Sequence, residues 1–314
     1  VLGCLLTVVV VIVALSAGSL WLVWKRPLAV DASFSRIALG RLGLEQQTIT
    51  GPAGPMTVWV GGAGPTLVLL HGAGDQAGAW ARAARPLLEQ HRLVVPDLPG
   101  HADSEPRTGP FGVDVVLAGL VAVMDQVCAG ERPVLVGNSM GAWVASLYAV
   151  DHPDRTERLV FVNGGPLTGS NPAISLFPKT RDEARAMMDA LTGPDSGAIP
   201  NNVLDDIVRR TGTGPLARFA QTADQMAEFV LDGRLHEITV PVDLVWGDAD
   251  ELMSLEYAHR LLDGLPAARL STVAGCGHVP HRECPGHFVE TLQRVLAQPP
   301  PEPDEQPASE EAGP

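Results

Sequence analysis

Short apolar runs recur along the middle of the chain, at 66–70, 93–95, 134–136 and 159–162, and the pattern resumes at Val242. Runs this short, without alternation, fit strands buried on both faces, as in a parallel sheet. A further strand is expected at 269–273. Two earlier stretches, 44–50 and 56–60, alternate and read as strands joined by a Gly-Pro-rich turn. Helical spacing fills the gaps, after residues 75–80 and on to Gln90, then at 111–129, 142–148, 254–264 and 285–297. The order predicts an α/β fold with a mostly parallel central sheet flanked by helices.

Three regions depart from that rhythm. Between Leu167 and Glu237 no buried strand is evident. Helical stretches at 181–191, 203–211 and 216–231 are instead broken by Pro, Gly and Asn, as expected of an insertion lying over the sheet. Its Met and Phe side chains, such as Met187, Met188 and Phe229, suit helix packing, and a few suit an apolar pocket. Residues 1–24 carry no charged side chain, and Trp21 and Trp24 precede Lys25 and Arg26. About 20 apolar residues cross a bilayer, and Trp belongs at its interface, so 1–26 reads as a single membrane anchor. The rival reading, a cleaved signal and a secreted protein, lacks a basic start and a small-residue cleavage site at the end of the run. Residues 27–43 read as a linker, and 298–314, rich in Pro and Glu, as a disordered acidic tail.

Composition narrows the partners. A formal net charge of −14 disfavours a nucleic-acid partner. The four cysteines show no metal-ligand spacing, and neither metal nor organic cofactor is called for.

The candidate chemistry starts at Gly137-Asn138-Ser139-Met140-Gly141, between an apolar run and a small-residue helix. A strand turning straight into a helix leaves room only for glycine on either side, and the serine is held strained with its hydroxyl at the tip. The N–H of Met140, at the helix start, is placed to hold an oxyanion. A second donor is expected from His71-Gly72-Ala73-Gly74, with Ala73 first and Gly74 next. His71, Asp97 and His101 read as braces for their loops. Two acids, Asp248 and Asp250, lie beyond the end of one strand, where an acid reaching into a site belongs. His278 follows the last strand.

These motifs, with Trp246-Gly247 and with Glu283 and Pro285 behind His278, resemble the α/β-hydrolase family over about residues 44–297. The resemblance implies Ser139 as nucleophile, His278 as general base and Asp250 as the acid orienting it, Asp250 fitting the family spacing better than Asp248. It also implies a core built from 44–166 and 239–297, with a helical cap at 167–238. Serine at the elbow, rather than aspartate, argues against the dehalogenase and epoxide hydrolase branches. The expected substrate is a small-molecule carboxylic ester, lipid-derived or monoacylglycerol-like among the candidates. A carbon–carbon hydrolase of the ring-cleavage type is the alternative, since such enzymes share the Gly-Asn-Ser elbow. They usually carry Trp directly after the catalytic His, where this chain has Val279. A non-catalytic, membrane-tethered binding protein would be expected to show a broken triad, and the three residues are intact.

Overall fold

The computed structural model describes Trp21 and residues 23–302. Eight strands form one sheet: β1 (Glu45–Gly51), β2 (Gly54–Gly61), β3 (Thr66–Leu70), β4 (Arg92–Pro96), β5 (Val134–Asn138), β6 (Arg158–Val162), β7 (Val242–Gly247) and β8 (Ala268–Val273). Their order is β1-β2-β4-β3-β5-β6-β7-β8. The β1–β2 and β2–β4 pairs are antiparallel, and every later pair is parallel. Leu70 pairs with Gly137, and Asn138 with Val162, so the carboxyl ends of the parallel strands open together on one edge of the sheet.

The continuous apolar runs are explained by helices on both faces. Val68, Leu70, Leu135, Leu159, Phe161 and Leu244 join one core, with helices α3 (Val113–Gln126), α4 (Met140–Asp151) and α8 (Leu255–Gly264). Their strand neighbours Leu67, Leu69, Val134, Val136, Val160 and Val245 point the other way. They meet α2 (Ala81–Leu88) and α10 (Pro285–Ala297). Successive strand residues point to opposite faces, so a strand buried twice must be apolar throughout.

The segment read as a linker is a helix, α1 (Pro27–Arg41). Its apolar residues lie on more than one side, which hid the period from the sequence. Leu39 is fully buried in the second core, and Leu28 packs against a separate apolar cluster of Ala184, Met187, Leu204 and Ile207, in the segment expected to form a cap. Above the strand ends lie α5 (Arg181–Leu191), α6 (Asn201–Thr211) and the short α7 (Pro215–Ala220). The helix expected over 216–231 stops after Ala220, where the backbone turns over to tighter bonds three residues apart (Thr222 N–H to the Phe219 oxygen, 3.1 Å, and Ala223 N–H to the Ala220 oxygen, 3.2 Å), and only a 3-10 turn, Met226–Phe229, follows. A four-residue helix, α9 (Pro280–Glu283), follows the His278 loop.

The proposed anchor falls mostly outside the described residues, as does the tail beyond residue 302. Among the described residues no helix is long and apolar enough to cross a membrane.

Candidate active site

Ser139 lies between β5 and α4 with φ 52° and ψ −116°, a conformation rare for a residue with a side chain. Close packing holds it there. A Cβ on Gly137 would lie 2.3 Å from the Gly141 carbonyl carbon, and one on Gly141 would lie 2.4 Å from the Leu70 oxygen. Both elbow glycines are therefore required sterically. The Ser139 N–H is taken by the Val162 oxygen (3.0 Å), while its side is left half-buried.

Asn138, at the end of β5, ties the elbow to the loop carrying His278. Its Nδ2 donates to the Val162 oxygen (3.0 Å) and to the His278 oxygen (2.9 Å). His278 Nδ1 meets Asp250 Oδ2 at 2.8 Å, with the Asp250 side chain fully buried. Against a carboxylate acceptor the hydrogen sits on Nδ1, which leaves Nε2 with a free lone pair. Asp250 Oδ1 accepts from the N–H groups of Leu252 (2.9 Å) and Met253 (3.0 Å). Asp248 is exposed and accepts instead from the Gly275 N–H (2.7 Å).

Asn163 was not singled out in the sequence. It is buried at the end of β6 with φ 46°, and its Nδ2 donates to Asp250 Oδ2 (2.9 Å) while its Oδ1 accepts from the Gly247 N–H (2.9 Å). An Asn followed by Gly-Gly after a strand was the available signal, because Asn tolerates positive φ.

The loop after β3 passes beside the elbow. A Cβ on Gly72 would lie 3.3 Å from the Ser139 Cβ. His71 Nε2 accepts from the Leu98 N–H (3.0 Å), so Nδ1 donates to the Gly72 oxygen (2.8 Å). His101 Nε2 likewise accepts from the Gly74 N–H (3.0 Å), and its Nδ1 donates to the Pro99 oxygen (3.0 Å). Burial lowers the pKa of both histidines, and that of His101 falls to about 3. Asp97 Oδ1 caps the Ala77 N–H (2.8 Å). These three residues brace loops. The Gly74 N–H is committed to His101, whereas the N–H groups of Ala73 and Met140 have no acceptor among the described residues.

A cavity of about 270 Å³ adjoins this loop. Leu28, Ala32, Ala73, Ile207 and Leu216 supply apolar wall, and Arg210 and Arg282 supply charge. Neither Ser139 nor His278 lines it, and it meets the site through Ala73 and Gly74.

The sequence model of the alpha/beta hydrolase family matches residues 67–291. A 2-hydroxy-6-oxononadienedioate/2-hydroxy-6-oxononatrienedioate hydrolase of Paraburkholderia phymatum is 30% identical over 256 residues, 74% of this chain and 87% of that one. An uncharacterised protein of Mycobacterium tuberculosis is 26% identical over 265 residues, 76% of each chain. Among solved structures, a membrane phospholipase A described as a bacterial virulence factor superposes with a TM-score of 0.72 at 26% identity, over 93% of this chain and 97% of that one. The chain belongs to the alpha/beta hydrolase family.

Proposed function

We propose that this protein is a serine hydrolase that cleaves carboxylic esters, with lipid-derived esters such as monoacylglycerols as the preferred class. The observation that carries the reading is the 2.8 Å His278–Asp250 pair, tied through Asn138 to a strained serine. In the proposed cycle His278 Nε2 takes the Ser139 proton as the hydroxyl oxygen attacks the acyl carbon. Asp250 holds the ring in the required tautomer and stabilises the imidazolium. The N–H groups of Met140 and Ala73 receive the oxyanion, each lowering the barrier by roughly 3 kcal/mol. The commitment of Gly74 to His101 favours Ala73 as the second donor. The protonated His278 then releases the alcohol, and water attacks the acyl-enzyme by the same route.

The likeness to a membrane phospholipase A and the apolar wall beside Ala73 support a lipid ester. We also propose that residues 1–26 anchor the chain to a membrane.

A second reading, carbon–carbon hydrolysis, is favoured by the Paraburkholderia relative. Val279 in place of the tryptophan usual in that group weighs against it. The test is hydrolysis of p-nitrophenyl esters of short, medium and long acyl chains, beside a 2-hydroxy-6-oxo-dienoate. Faster turnover of the medium and long esters than of the dienoate is expected. Turnover of the dienoate alone would replace the ester reading with the second.

A further inference from the structure

Helix α1 has an outward face that nothing among the described residues covers. Among the described residues the exposed large hydrophobics are Trp21, Val23, Trp24, Phe34, Ile37 and Phe177, so all but one lie between 21 and 37. Scattered apolar residues are ordinary on a surface, but a contiguous patch marks an interaction site. Phe34 is 65% exposed and Ile37 49% exposed, and with Val23 and Val30 they border a groove of about 500 Å³ along the helix. The opposite side of the same helix is already spent, with Leu28 against the cap and Leu39 in the core.

Charge and aromatic placement identify the occupant. The only carboxylate of α1, Asp31, is held by Arg282 at 2.8 Å, so the outward face has no negative charge of its own. Lys25 and Arg26, both exposed, flank it at the end where Trp21 and Trp24 stand. The uncharged residues 1–20 lead directly into that end. Apolar side chains edged by tryptophan and basic residues match the boundary between acyl chains and anionic headgroups.

We propose that the outward face of α1 docks on an anionic phospholipid bilayer and turns the cavity beside the oxyanion loop toward lipid. The mounting is firm enough to set orientation. The Leu28 N–H donates to Asp206 Oδ2 (3.1 Å), Arg209 Nη1 donates to the Lys25 oxygen (2.6 Å), and Arg282 joins Asp31 to Asp75 on the oxyanion loop. Leu28, Asp31 and Ala32 also wall the 270 Å³ cavity. One helix, about 10 Å thick, thus separates bilayer from cavity. The surface stands without the ester reading, and only its bearing on catalysis rests on that reading.

The test places an environment-sensitive fluorophore on the full chain. With Cys4→Ser, the remaining thiols are Cys128, which is buried, and the Cys276–Cys284 disulfide, so a cysteine introduced at Phe34 or Ile37 is labelled selectively. Glu157→Cys, ahead of β6, serves as the reference site. On phosphatidylcholine–phosphatidylglycerol vesicles with brominated acyl chains, labels at 34 and 37 shift to the blue and are quenched, and the label at 157 is not. In parallel, the Phe34→Glu/Ile37→Glu double variant turns over a long-chain ester in vesicles about tenfold more slowly, with a short soluble ester unaffected. Labels at 34 and 37 that remain water-like on vesicles would overturn the surface. So would a blue shift that grows with protein concentration in the absence of lipid, since a second copy would then cover the face. Absence of turnover on either ester would sink the ester reading while the fluorophores still decide the surface.

Discussion

Ser139 is held at positive φ in an elbow whose two glycines, Gly137 and Gly141, leave no room for a side chain. Replacing Ser139 by Ala relieves none of the packing, so the variant should fold and lose turnover by a factor of about 10⁴ or more, measured on a p-nitrophenyl ester. The paired acids give a sharper contrast. Their close spacing left the sequence open between them, because both lie just past the same strand. Only Asp250 meets His278, while Asp248 supports the turn at Gly275. Asp250→Asn should therefore lower kcat about 10⁴-fold, and Asp248→Asn should leave kcat near that of the unaltered chain. Equal losses in the two would contradict the assignment. Asn163→Ala removes one of four donors to Asp250. A hydrogen bond to a charged group is worth about 1.5–3 kcal/mol, so kcat should fall roughly tenfold or more with KM little changed.

The central strands β3 to β7 were legible because each is buried along nearly its whole length, which leaves a short apolar signature, whereas the more exposed β1 was read from its alternation. Helices with one clear stripe, such as α10, were legible for the matching reason. Helix α1 was not, because it is apolar on both its inward and outward sides, and a spread of apolar positions has no period to read. The loop elements carry histidines whose behaviour follows from burial. His281, in α9, stacks on Trp80 at 4.2 Å, and neither of its ring nitrogens has a partner among the described residues. Burial lowers its pKa to about 3, as it does for His101. Asp75 and Arg282 flank His281 with opposite charge, and His278 and His71 add smaller effects that disfavour protonation. A histidine with a folded pKa below its unfolded value near 6.5 contributes stability that is whole above that pH. The contribution shrinks as pH falls from about 6.5 toward the folded pKa of about 3. Thermal unfolding followed from pH 8 to pH 4 should show Tm declining below about pH 6.5. His281→Phe, which removes an unpartnered buried polar ring, should match or exceed the parent Tm at pH 7 and lessen the acid decline. A larger decline in the variant would contradict this.

At the scale of the molecule the site is an assembly of strand ends, each loop braced to the next. Asn138 links the elbow to His278, Asn163 links β6 to Asp250, and Glu283 accepts from the Gly277 N–H (2.8 Å) and from Gly193 and Ser196 of the cap. The segment read as a cap is thereby fastened to the loop carrying the proposed base. Chain order singled out Ser139, Asp250 and His278, and His71, Asp97 and His101 read as braces beside their own loops, but cross-links between distant segments leave no local pattern, so the bracing by Asn138, Asn163 and Glu283 was not legible. The Cys276–Cys284 disulfide closes the same His278 loop. Closing so short a loop should be worth about 2 kcal/mol, so Cys276→Ser/Cys284→Ser should unfold at a lower urea midpoint with m unchanged. The most direct test of the whole account is covalent labelling of the intact chain with a fluorophosphonate, read by mass spectrometry. One adduct per chain on Ser139, absent from Ser139→Ala and formed far more slowly in His278→Ala, is the predicted result. An adduct on another residue, or one that persists in Ser139→Ala, would contradict it.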